Sequence, residues 1–472
     1  MRKEIKGGLN LLGFILQING LLTLIPIFVA LIFREDRALI AFLFMGFIFL
    51  SLGSLLTSKF KEVEMDFVSA SLLISLTYIS LSLIGTLPYL WYGDLIFPNS
   101  NNLDKFVKAL FESTSGYTTT GLTSILDLSI SKSLIFFRSL TQWLGGINIV
   151  FLTLLIFITP FPFRIISQIL GFEGVTLNLK RSFIEVIKIY FIFTLIFTIL
   201  LSYSGVPPFE ALNITFSGLS TGGFLPTNNL KDFLNPLSYW IIIAIMLVGS
   251  VNFSILSKIF GRKIGIVYLS EFYFWILILT IGSLISFFLV KGNWGDNFFH
   301  IVSATTTTGF QYVDFSQQSD TVKLFFTLLM FFGGSSFSTA GGIKILRILL
   351  ALTALEWFFK RILLPEKVII PLRIKERIIE EKEIISILFL ILISILSLII
   401  GALIFTFYGY STSSSLFELT SAFATTGLTT GLSALDLPFP LRLILIFEMI
   451  LGRAEVIPFI VFLYHIFKWG KR

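Results

Sequence analysis

The chain has 472 residues, of which 55% are hydrophobic and only 13% are charged. A soluble globular protein cannot bury so large an apolar fraction, so the composition predicts a polytopic membrane protein. Cysteine is absent and histidine occurs only at His300 and His465, which excludes a disulfide framework, a thiolate metal site and a histidine-based metal cluster.

Two membrane helices are predicted at the start of the chain. The uncharged run at residues 7–33 follows three basic residues and exceeds the roughly 20 apolar residues that cross a bilayer. A second apolar run, residues 38–57, comes directly after it, and no small-residue cleavage site separates the two. We therefore interpret the first run as a spanning helix rather than a signal peptide.

The rest of the chain predicts four repeats of one pattern. Each repeat has a spanning helix, a helix too short to span, a run of small polar residues and a second spanning helix. The predicted pairs of spans are 67–93 with 139–163, 189–208 with 233–257, 272–290 with 324–359, and 384–408 with 443–467. The predicted units are 1–62, 63–165, 166–264, 265–365 and 366–472. The predicted fold class is an all-α polytopic membrane protein with ten spans, in which four repeats in pseudo-four-fold arrangement follow two N-terminal transmembrane helices.

The polar runs all end in glycine, with glycine-to-glycine separations of 101, 87 and 118 residues. The windows 111–122 and 417–428 agree at eight of twelve positions, more than composition alone would produce. A single Thr-Thr-Gly is usually a turn or a helix cap, but four at equivalent places predict a shared function. The candidate binding residues are Thr119, Thr120, Gly121, Ser220, Thr221, Gly222, Thr307, Thr308, Gly309, Thr425, Thr426 and Gly427.

The short helical segments before these runs explain what the runs can bind. At membrane depth such a segment must be re-entrant and buried in protein, because unpaired backbone in lipid costs several kcal/mol per group. Four segments around one axis would aim their negative C-terminal ends at a common centre. Carbonyl groups of the runs could there replace the hydration shell of a cation, and glycine permits the backbone angles this needs. The segments are 103–116, 208–219, 297–305 and 414–424.

Orientation is predicted from the placement of lysine and arginine. If the N-terminus is cytoplasmic, the inner segments hold 22 of the 35 Lys and Arg residues, and these segments are 1–9, 58–66, 164–188, 258–271, 360–383 and 468–472. The net charge of +7 is then a topology signal and needs no nucleic-acid partner. Both termini are expected to be cytoplasmic and the polar runs to lie toward the outer face.

A motif of a different functional class occurs in the second repeat. Residues 218–222 match the G-x-S-x-G elbow of serine hydrolases, with Ser220 as the nucleophile. That elbow requires a strand before it and a histidine base, whereas this motif follows a short helix. His300 lies where the first and fourth repeats have Glu112 and Glu418, so we interpret it as a residue of a short helix. A membrane-embedded hydrolase remains the alternative from another class.

The second span of the third repeat is interrupted by small and hydroxylic residues at 333–342. Glycine pairs weaken a helix, and backbone freed at this depth must face the pore or other protein. Close helix packing is the alternative reason for small residues. The candidate gate residues are Gly333, Gly334, Ser335, Ser338, Thr339, Gly341, Gly342, Lys344 and Arg453.

Arg453 interrupts the last span, with Glu448 before it and Glu455 after it. An arginine near the bilayer centre costs roughly 2.5–3.5 kcal/mol on insertion scales, so it is expected to face the protein and to contact a carboxylate or a carbonyl. One interpretation is a structural ion pair with Glu448 or Glu455. The other is a contact with the 333–342 loop beside the ion path, where the positive charge would raise the barrier to a passing cation.

Two further charged features have structural interpretations. Glu112 and Glu418 lie ahead of their polar runs and complement the dipole of a short helix, which favours a structural role over ion attraction. The mixed-sign run at residues 373–383 is typical of a solvated helix, and docking of a regulatory subunit is the alternative.

Taken together, these motifs resemble the Trk/Ktr/HKT superfamily of potassium transporters, most closely the bacterial TrkH-type membrane subunit. The likeness also rests on the segments 142–146 (QWLGG), 251–254 (VNFS), 338–344 (STAGGIK) and 452–455 (GRAE), and it covers essentially the whole chain. The resemblance implies a K⁺-translocating subunit with filter glycines at Gly121, Gly222, Gly309 and Gly427. It also implies an intramembrane gate at the 333–342 loop that is contacted by Arg453.

The same resemblance implies a homodimer in the bacterial cytoplasmic membrane and a cytoplasmic nucleotide-binding regulatory ring of the TrkA type. NAD or ATP/ADP would then bind to that partner, and this chain would carry no cofactor. In the superfamily a serine at the first filter position accompanies Na⁺ transport, so Gly121 favours K⁺. Ser220 in place of threonine and Asn148 in place of a small residue depart from the family pattern. A Na⁺-permeable or cation-coupled member of the superfamily remains the alternative.

Overall fold

The computed structural model describes residues 3–61, 65–98, 100–125, 127–158, 179–256, 266–290, 292–365, 371–374, 377–379, 381–434 and 437–469. The N-terminal part contains α1 (Lys3–Leu22), α2 (Ile25–Phe33) and α3 (Asp36–Lys59). The predicted first span is therefore two helices, because the chain turns at Thr23 and Leu24 and Pro26 begins α2 as a residue of its first turn.

The four repeats follow in order, each with a short helix between longer ones. The first contains α4 (Phe67–Trp91), α5 (Gly93–Ile96), α6 (Asn102–Tyr117) and α7 (Lys132–Ile158). The second contains α8 (Leu179–Tyr203), α9 (Pro208–Leu219), α10 (Pro236–Ser250) and α11 (Phe253–Leu256). The third contains α12 (Ile266–Leu289), α13 (Trp294–Thr305), α14 (Asp320–Phe331) and α15 (Ile345–Ile362). The fourth contains α16 (Glu381–Phe407), α17 (Thr412–Phe423), α18 (Phe439–Ala454) and α19 (Val456–Trp469).

Within the described residues, seven helical segments are long and apolar enough to cross a membrane, counting α1 and α2 as one. The other three predicted spans are broken into two helices each. Only the break between α14 and α15 was expected. The second repeat also breaks after Ser250, and the fourth breaks at Glu455, whose φ is 65°. Residues 159–163 of one predicted span lie outside the described part of the chain.

Some predicted spans begin too late, and the second span of the first repeat shows why. Helix α7 starts at Lys132 rather than at residue 139, and Arg138 near its start is paired inside the protein. Arg138 is buried, and its guanidinium lies 3.5 Å from the carboxylate of Glu112. A charge therefore does not mark the end of a span where a neighbouring repeat or helix supplies the counter-charge.

The predicted solvated helix at residues 373–383 is also wrong. The strands β1 (Arg373–Ile374) and β2 (Arg377–Ile378) pair antiparallel, and α16 begins only at Glu381. Isoleucine favours strands, and two strands separated by two residues form a hairpin, which outweighs the alternation of charge along the sequence.

We call α6, α9, α13 and α17 the short helices. Each predicted short segment is helical, and the bounds of α9 agree with the prediction at both ends. Asn101 and Asn293 cap two of the helices by accepting from backbone N–H groups, and Pro208 begins a third. The last turns of all four are buried, so their C-terminal ends point into the protein.

The start of each second span is tied to the short helix of the next repeat. These outer links join Lys132 to Glu210 at 3.1 Å, Tyr239 to the carbonyl of Gly295 at 2.7 Å, Lys323 to Ser414 at 3.2 Å, and Arg442 to Asp104 at 3.2 Å. The links join the first repeat to the second, the second to the third, the third to the fourth, and the fourth back to the first. The repeats therefore close into a circle.

Candidate functional site

The chain takes the same course after each short helix. One residue beyond the helix cap has a left-handed φ of 47–54°, and these residues are Thr119, Thr221, Thr307 and Thr425. Two positions later a glycine has a φ of 80–94°, and these glycines are Gly121, Gly223, Gly309 and Gly427. Threonine rarely adopts a left-handed conformation, so four equivalent cases indicate one shared, imposed geometry.

The structure corrects the predicted alignment of the second repeat by one residue. Gly223, and not Gly222, has the backbone conformation of Gly121. The N–H of Gly222 donates to the carbonyl of Ser217 at 2.7 Å, as the N–H of Thr120 donates to that of Ser115 at 2.8 Å. Gly222 and Gly223 are consecutive in the sequence. The prediction aligned the second repeat on Gly222, which shifted its polar run by one position. Ser220 therefore corresponds to Thr118.

The four segments contact each other in a closed ring. Each of the four glycines with a φ of 80–94° approaches the next segment closely. A β-carbon on any of them would lie too close to a carbonyl oxygen of that segment. The distances would be 2.2 Å from Gly121 to Gly222, 2.4 Å from Gly223 to Thr308, 1.8 Å from Gly309 to Thr426 and 2.2 Å from Gly427 to Thr120. We call the carbonyl groups of Thr120, Gly222, Thr308 and Thr426 the carbonyl ring. Glycine is required beside it both by φ and by space.

Four serines that sequence reasoning missed occupy equivalent positions in the short helices, and the hydroxyls of three of them bond to the backbone at the ring. They lie six residues before each ring glycine, at Ser115, Ser217, Ser303 and Ser421. The hydroxyls of Ser115 and Ser421 accept from the N–H groups of Gly121 and Gly427, both at 3.0 Å. Ser303 instead donates to the carbonyl of Phe310 at 2.8 Å. The signal was a serine at constant spacing, which appears only in the corrected alignment.

The carboxylates ahead of the runs bind the backbone that follows the ring. Glu112 accepts from the N–H of Ser124 at 2.5 Å and from that of Ile125 at 3.2 Å. Glu418 accepts from the N–H of Thr430 at 3.1 Å. Both carboxylates are buried. These contacts agree with the structural interpretation of Glu112 and Glu418, since the carboxylates hold the backbone that follows the ring.

His300 plays the same part in the third repeat, as its position predicted. Its Nε2 accepts from the N–H of Tyr312 at 3.2 Å, and its Nδ1 lies 2.7 Å from the carbonyl of Asp296. Ser220 donates to the carbonyl of Phe216 at 2.8 Å. The serine hydroxyl and both imidazole nitrogens are thus engaged with backbone. The geometry does not contain the Ser220–His300 pair that a serine hydrolase would need.

The 333–342 loop lies directly against the left-handed threonines. The N–H of Gly341 donates to the hydroxyl of Thr307 at 2.7 Å, and the hydroxyl of Thr339 lies 3.4 Å from that of Thr221. A β-carbon on Gly341 would lie 2.0 Å from the hydroxyl of Thr425. The loop therefore contacts three of the four segments on the side of the ring where the short helices end.

Backbone contacts hold the two ends of the loop together. Gly333 donates to the carbonyl of Ile343 at 3.0 Å, and Gly334 accepts from the N–H of Ile345 at 3.3 Å. Gly342 has a φ of 65°, which turns the chain back toward α15. The loop also bonds to itself, because Ser338 donates to the carbonyl of Ser335 at 2.6 Å and Lys344 donates to that of Ala340.

Residues of the second repeat and of α12 anchor the middle of the loop. The break between α10 and α11 supplies two partners: the carbonyl of Ser250 accepts from Ser335 at 3.1 Å, and the N–H of Phe253 donates to Phe337 at 3.0 Å. Glu271 of α12 is buried, and its carboxylate accepts from the N–H of Ser336 at 2.5 Å. Sequence analysis did not identify Glu271. Its signal was a single acidic residue directly before the predicted apolar span 272–290.

Arg453 contacts the loop rather than a carboxylate. Its guanidinium donates to the carbonyl of Thr339 at 2.7 Å and to that of Gly145 at 3.3 Å. Glu455 instead pairs with Arg347, and Glu448 accepts from Ser397 at 3.4 Å. The interpretation of Arg453 as half of an ion pair with Glu448 or Glu455 is therefore wrong.

Little space remains beneath the loop. The cavity there has a volume of about 20 Å³ and is lined in part by Lys344, Arg347, Arg453 and Glu455. Such a space holds only one or a few water molecules. Three of these four side chains are basic, so basic groups outnumber acidic ones in the lining of this cavity.

Asn148, the second departure from the family pattern, is also accounted for. It is buried, and its side-chain amide donates to that of Asn19 in α1 at 3.3 Å. The N-terminal helices therefore supply the polar partner that a larger side chain at this position requires.

Known proteins resemble this chain along most of its length. It is 30% identical over 471 residues to an uncharacterized cation transporter of Methanocaldococcus jannaschii, with 98% of this chain and 95% of that protein covered. It is 29% identical over 376 residues to the Trk system potassium uptake protein TrkH of Salmonella typhimurium, with 73% of this chain and 74% of that protein covered.

The fold has a counterpart among solved structures, the crystal structure of the potassium transporter TrkH from Vibrio parahaemolyticus. The TM-score is 0.82 at 23% identity, with 97% of this chain and 98% of that chain covered. The likeness confirms the predicted all-α polytopic fold. The TrkH family, described as cation transport proteins, matches residues 39–276 and 284–468. The resemblance read from the motifs is thus confirmed, and the chain belongs to the TrkH family of cation transport proteins.

Proposed function

We propose that the protein passes K⁺ across a membrane through the carbonyl ring. The observation that carries this proposal is the cyclic contact of four equivalent segments, in which each glycine lies against a carbonyl of the next segment. The C-terminal ends of the short helices add negative potential at the same place. Oxygen dipoles around one axis can replace the hydration shell of a monovalent cation.

Two observations favour K⁺ as the ion. Several relatives, including those of Salmonella typhimurium and Escherichia coli, bear the name Trk system potassium uptake protein. Gly121 stands at the filter position where serine accompanies Na⁺ transport in the superfamily. A Na⁺-permeable or cation-coupled transporter is the second candidate, because the ring could pass either ion if its oxygens were closer or more flexible.

The 333–342 loop is the proposed gate. It lies against three segments of the ring, and Arg453, Glu271 and the α10–α11 break hold it there. Opening requires the loop to leave these partners together. Because Arg453 bonds both the loop and Gly145, loss of its contacts would free the third repeat from the first.

Assembly and regulation are proposed on the same basis. The excess of lysine and arginine in alternate segments supports cytoplasmic termini in a cytoplasmic membrane. A homodimer controlled by a cytoplasmic nucleotide-binding ring of the TrkA type is the proposed assembly, with NAD or ATP/ADP on that ring. Support comes from the relatives named as members of a Trk system. Residues 373–383 are a candidate docking segment for it.

The proposal is tested by growth and by flux. The protein is expected to restore growth of a K⁺-uptake-deficient strain on limiting K⁺, and the purified protein in liposomes is expected to pass Rb⁺ faster than Na⁺. Na⁺ flux without Rb⁺ flux would favour the second candidate. Failure of both growth and flux by monodisperse protein would contradict cation transport through the ring.

A further inference from the structure

One carbonyl of the ring accepts a hydrogen bond from a side chain. Gln142 of α7 is buried, and its Nε2 donates to the carbonyl of Gly222 at 2.5 Å. Its Oε1 accepts from the N–H of Phe224 at 3.1 Å. A carbonyl only accepts and an N–H only donates. The amide nitrogen of Gln142 must therefore face Gly222 and the amide oxygen must face Phe224. Across the described residues, the ring carbonyls of Thr120, Thr308 and Thr426 accept no such bond.

Gln142 is also the exception in a repeated pattern. Three glycines of the second spans lie against the end of the short helix of their own repeat: Gly145 against Tyr117, Gly249 against Leu219 and Gly452 against Phe423. Three positions before these glycines are Gln142, Met246 and Met449. In the third repeat, Met330 precedes Gly333 by the same interval. All four side chains are buried.

The ring residues vary in step with this pattern. Carrying the relation between Gln142 and Gly222 around the four repeats pairs Met246 with Thr308, Met330 with Thr426 and Met449 with Thr120. Glycine occurs on the ring only opposite glutamine. A β-carbon on Gly222 would lie 2.4 Å from Cδ of Gln142, so the amide occupies the space of the missing side chain. The other repeats have methionine at the position of Gln142 and threonine at the position of Gly222. We therefore interpret the two differences as one coupled substitution, in which the glutamine amide fills the space of the threonine side chain.

We propose that Gln142 determines ion specificity by weakening one carbonyl of the ring. An oxygen that already accepts a hydrogen bond attracts a cation less strongly. The strength of the coordinating dipoles is one basis of K⁺ over Na⁺ selectivity, and a weaker field favours the larger ion, which is dehydrated at lower cost. The inference rests on the proposed passage of K⁺ through the ring, and it adds which side chain adjusts the ring.

The first experiment replaces glutamine by the residue of the other repeats. Gln142→Met keeps the side-chain volume close to the original and removes the donor. In liposomes the ratio of Na⁺ to Rb⁺ flux is expected to rise roughly five-fold, the factor that one ordinary net hydrogen bond supplies. Gln311→Met is the matched control, because Gln311 bonds the backbone of Thr429 across two repeats but contacts no ring carbonyl.

An unchanged ratio in Gln142→Met, or an equal rise in Gln311→Met, would overturn the proposal. The second experiment tests the exchange of space. Gly222→Thr alone is expected to lower Rb⁺ flux about ten-fold through overpacking against Gln142. Combining it with Gln142→Met is expected to restore Rb⁺ flux while the ratio stays raised. No recovery in the paired variant would show that the amide does not fill the place of a threonine side chain.

Rb⁺ flux through the unaltered protein in the same vesicles distinguishes a failure of this inference from a failure of the proposed function. Absence of Rb⁺ flux there would contradict K⁺ passage itself. Normal Rb⁺ flux in the unaltered protein, with an unchanged ratio in Gln142→Met, would contradict only the role of Gln142.

Discussion

At the scale of single residues, the backbone of the ring depends on glycines without a β-carbon and on threonines in a left-handed conformation. Gly121 and Gly427 lack a β-carbon where the next segment approaches, and the threonines two positions earlier hold a strained left-handed φ. Strain of this kind persists only where surrounding contacts impose it. The serines of the short helices and the 333–342 loop supply those contacts.

The corrected alignment predicts different effects for two adjacent glycines. Gly223→Ala is expected to reduce Rb⁺ flux more than Gly222→Ala. A β-carbon at Gly223 meets the carbonyl of Thr308 at 2.4 Å, whereas one at Gly222 meets the side chain of Gln142, which can move. The strained φ alone costs roughly 1–3 kcal/mol. Flux in liposomes measures the difference, and the opposite ranking would restore the original alignment.

Arg453 is predicted to restrain ion flux. Arg453→Gln removes two charge-assisted hydrogen bonds and one positive charge beside the path, so Rb⁺ flux is expected to rise by about ten-fold or more. Arg37→Gln is the control, because Arg37 also donates to a carbonyl, that of Trp91, and its contacts among the described residues are not with the loop. Unaltered flux in well-folded Arg453→Gln would leave Arg453 only a structural role.

At the scale of elements, the 333–342 loop, the proposed gate, leaves α14 and is held by residues of other elements. Its partners lie in α10–α11, α12 and α18, each from a different part of the chain. Because several separate anchors hold the loop, the loss of one anchor lowers the cost of leaving the others. We therefore expect the buried carboxylate of Glu271 to influence how often the loop moves.

This expectation can be measured by thiol labelling, because the chain contains no cysteine. Ser338→Cys introduces a unique thiol in the loop, and adding Glu271→Met removes the acceptor for the N–H of Ser336. Labelling is expected to accelerate by about ten-fold, as a lost hydrogen bond to a charged group predicts.

Glu448→Met in the same Ser338→Cys background is the control for Glu271→Met. Glu448 is a buried carboxylate as well, but its partner is Ser397 and not the loop. Equal labelling rates in the two variants would rule out a specific effect of Glu271 on the loop.

At the scale of the whole molecule, the outer links close the circle of repeats and differ in burial. Arg442 is fully buried and pairs with Asp104, which joins the fourth repeat to the first. Lys132 pairs with Glu210 but is 40% exposed, so water screens that link. The closing link therefore contributes more to the stability of the assembled ring than the first one.

The difference is predicted to appear in thermal unfolding in detergent. Arg442→Met removes a fully buried partner of Asp104, which retains its ion pair with Lys108, and is expected to destabilise the protein by about 2 kcal/mol. Lys132→Met is expected to change the stability by less than about 1 kcal/mol. Measured Tm values that fall equally for the two variants would contradict this ranking of the links.

The sequence by itself determined the membrane class, the four repeats, the short helices and the family. These depend on hydropathy, glycine placement and periodicity, which are local properties that survive without knowledge of contacts. It also located the interruption at residues 333–342, because small residues in an apolar span are visible in the sequence.

Only the tertiary structure decided which atoms meet. Whether Gly222 or Gly223 is equivalent to Gly121 depended on where α9 ends and on the contact with the segment of the third repeat. The partners of Arg453 lie 114 and 308 residues away along the chain, and those of Gln142 lie in another repeat. Hydrogen bonds depend on distances of a few tenths of an ångström between groups far apart in sequence, and no local pattern encodes those distances.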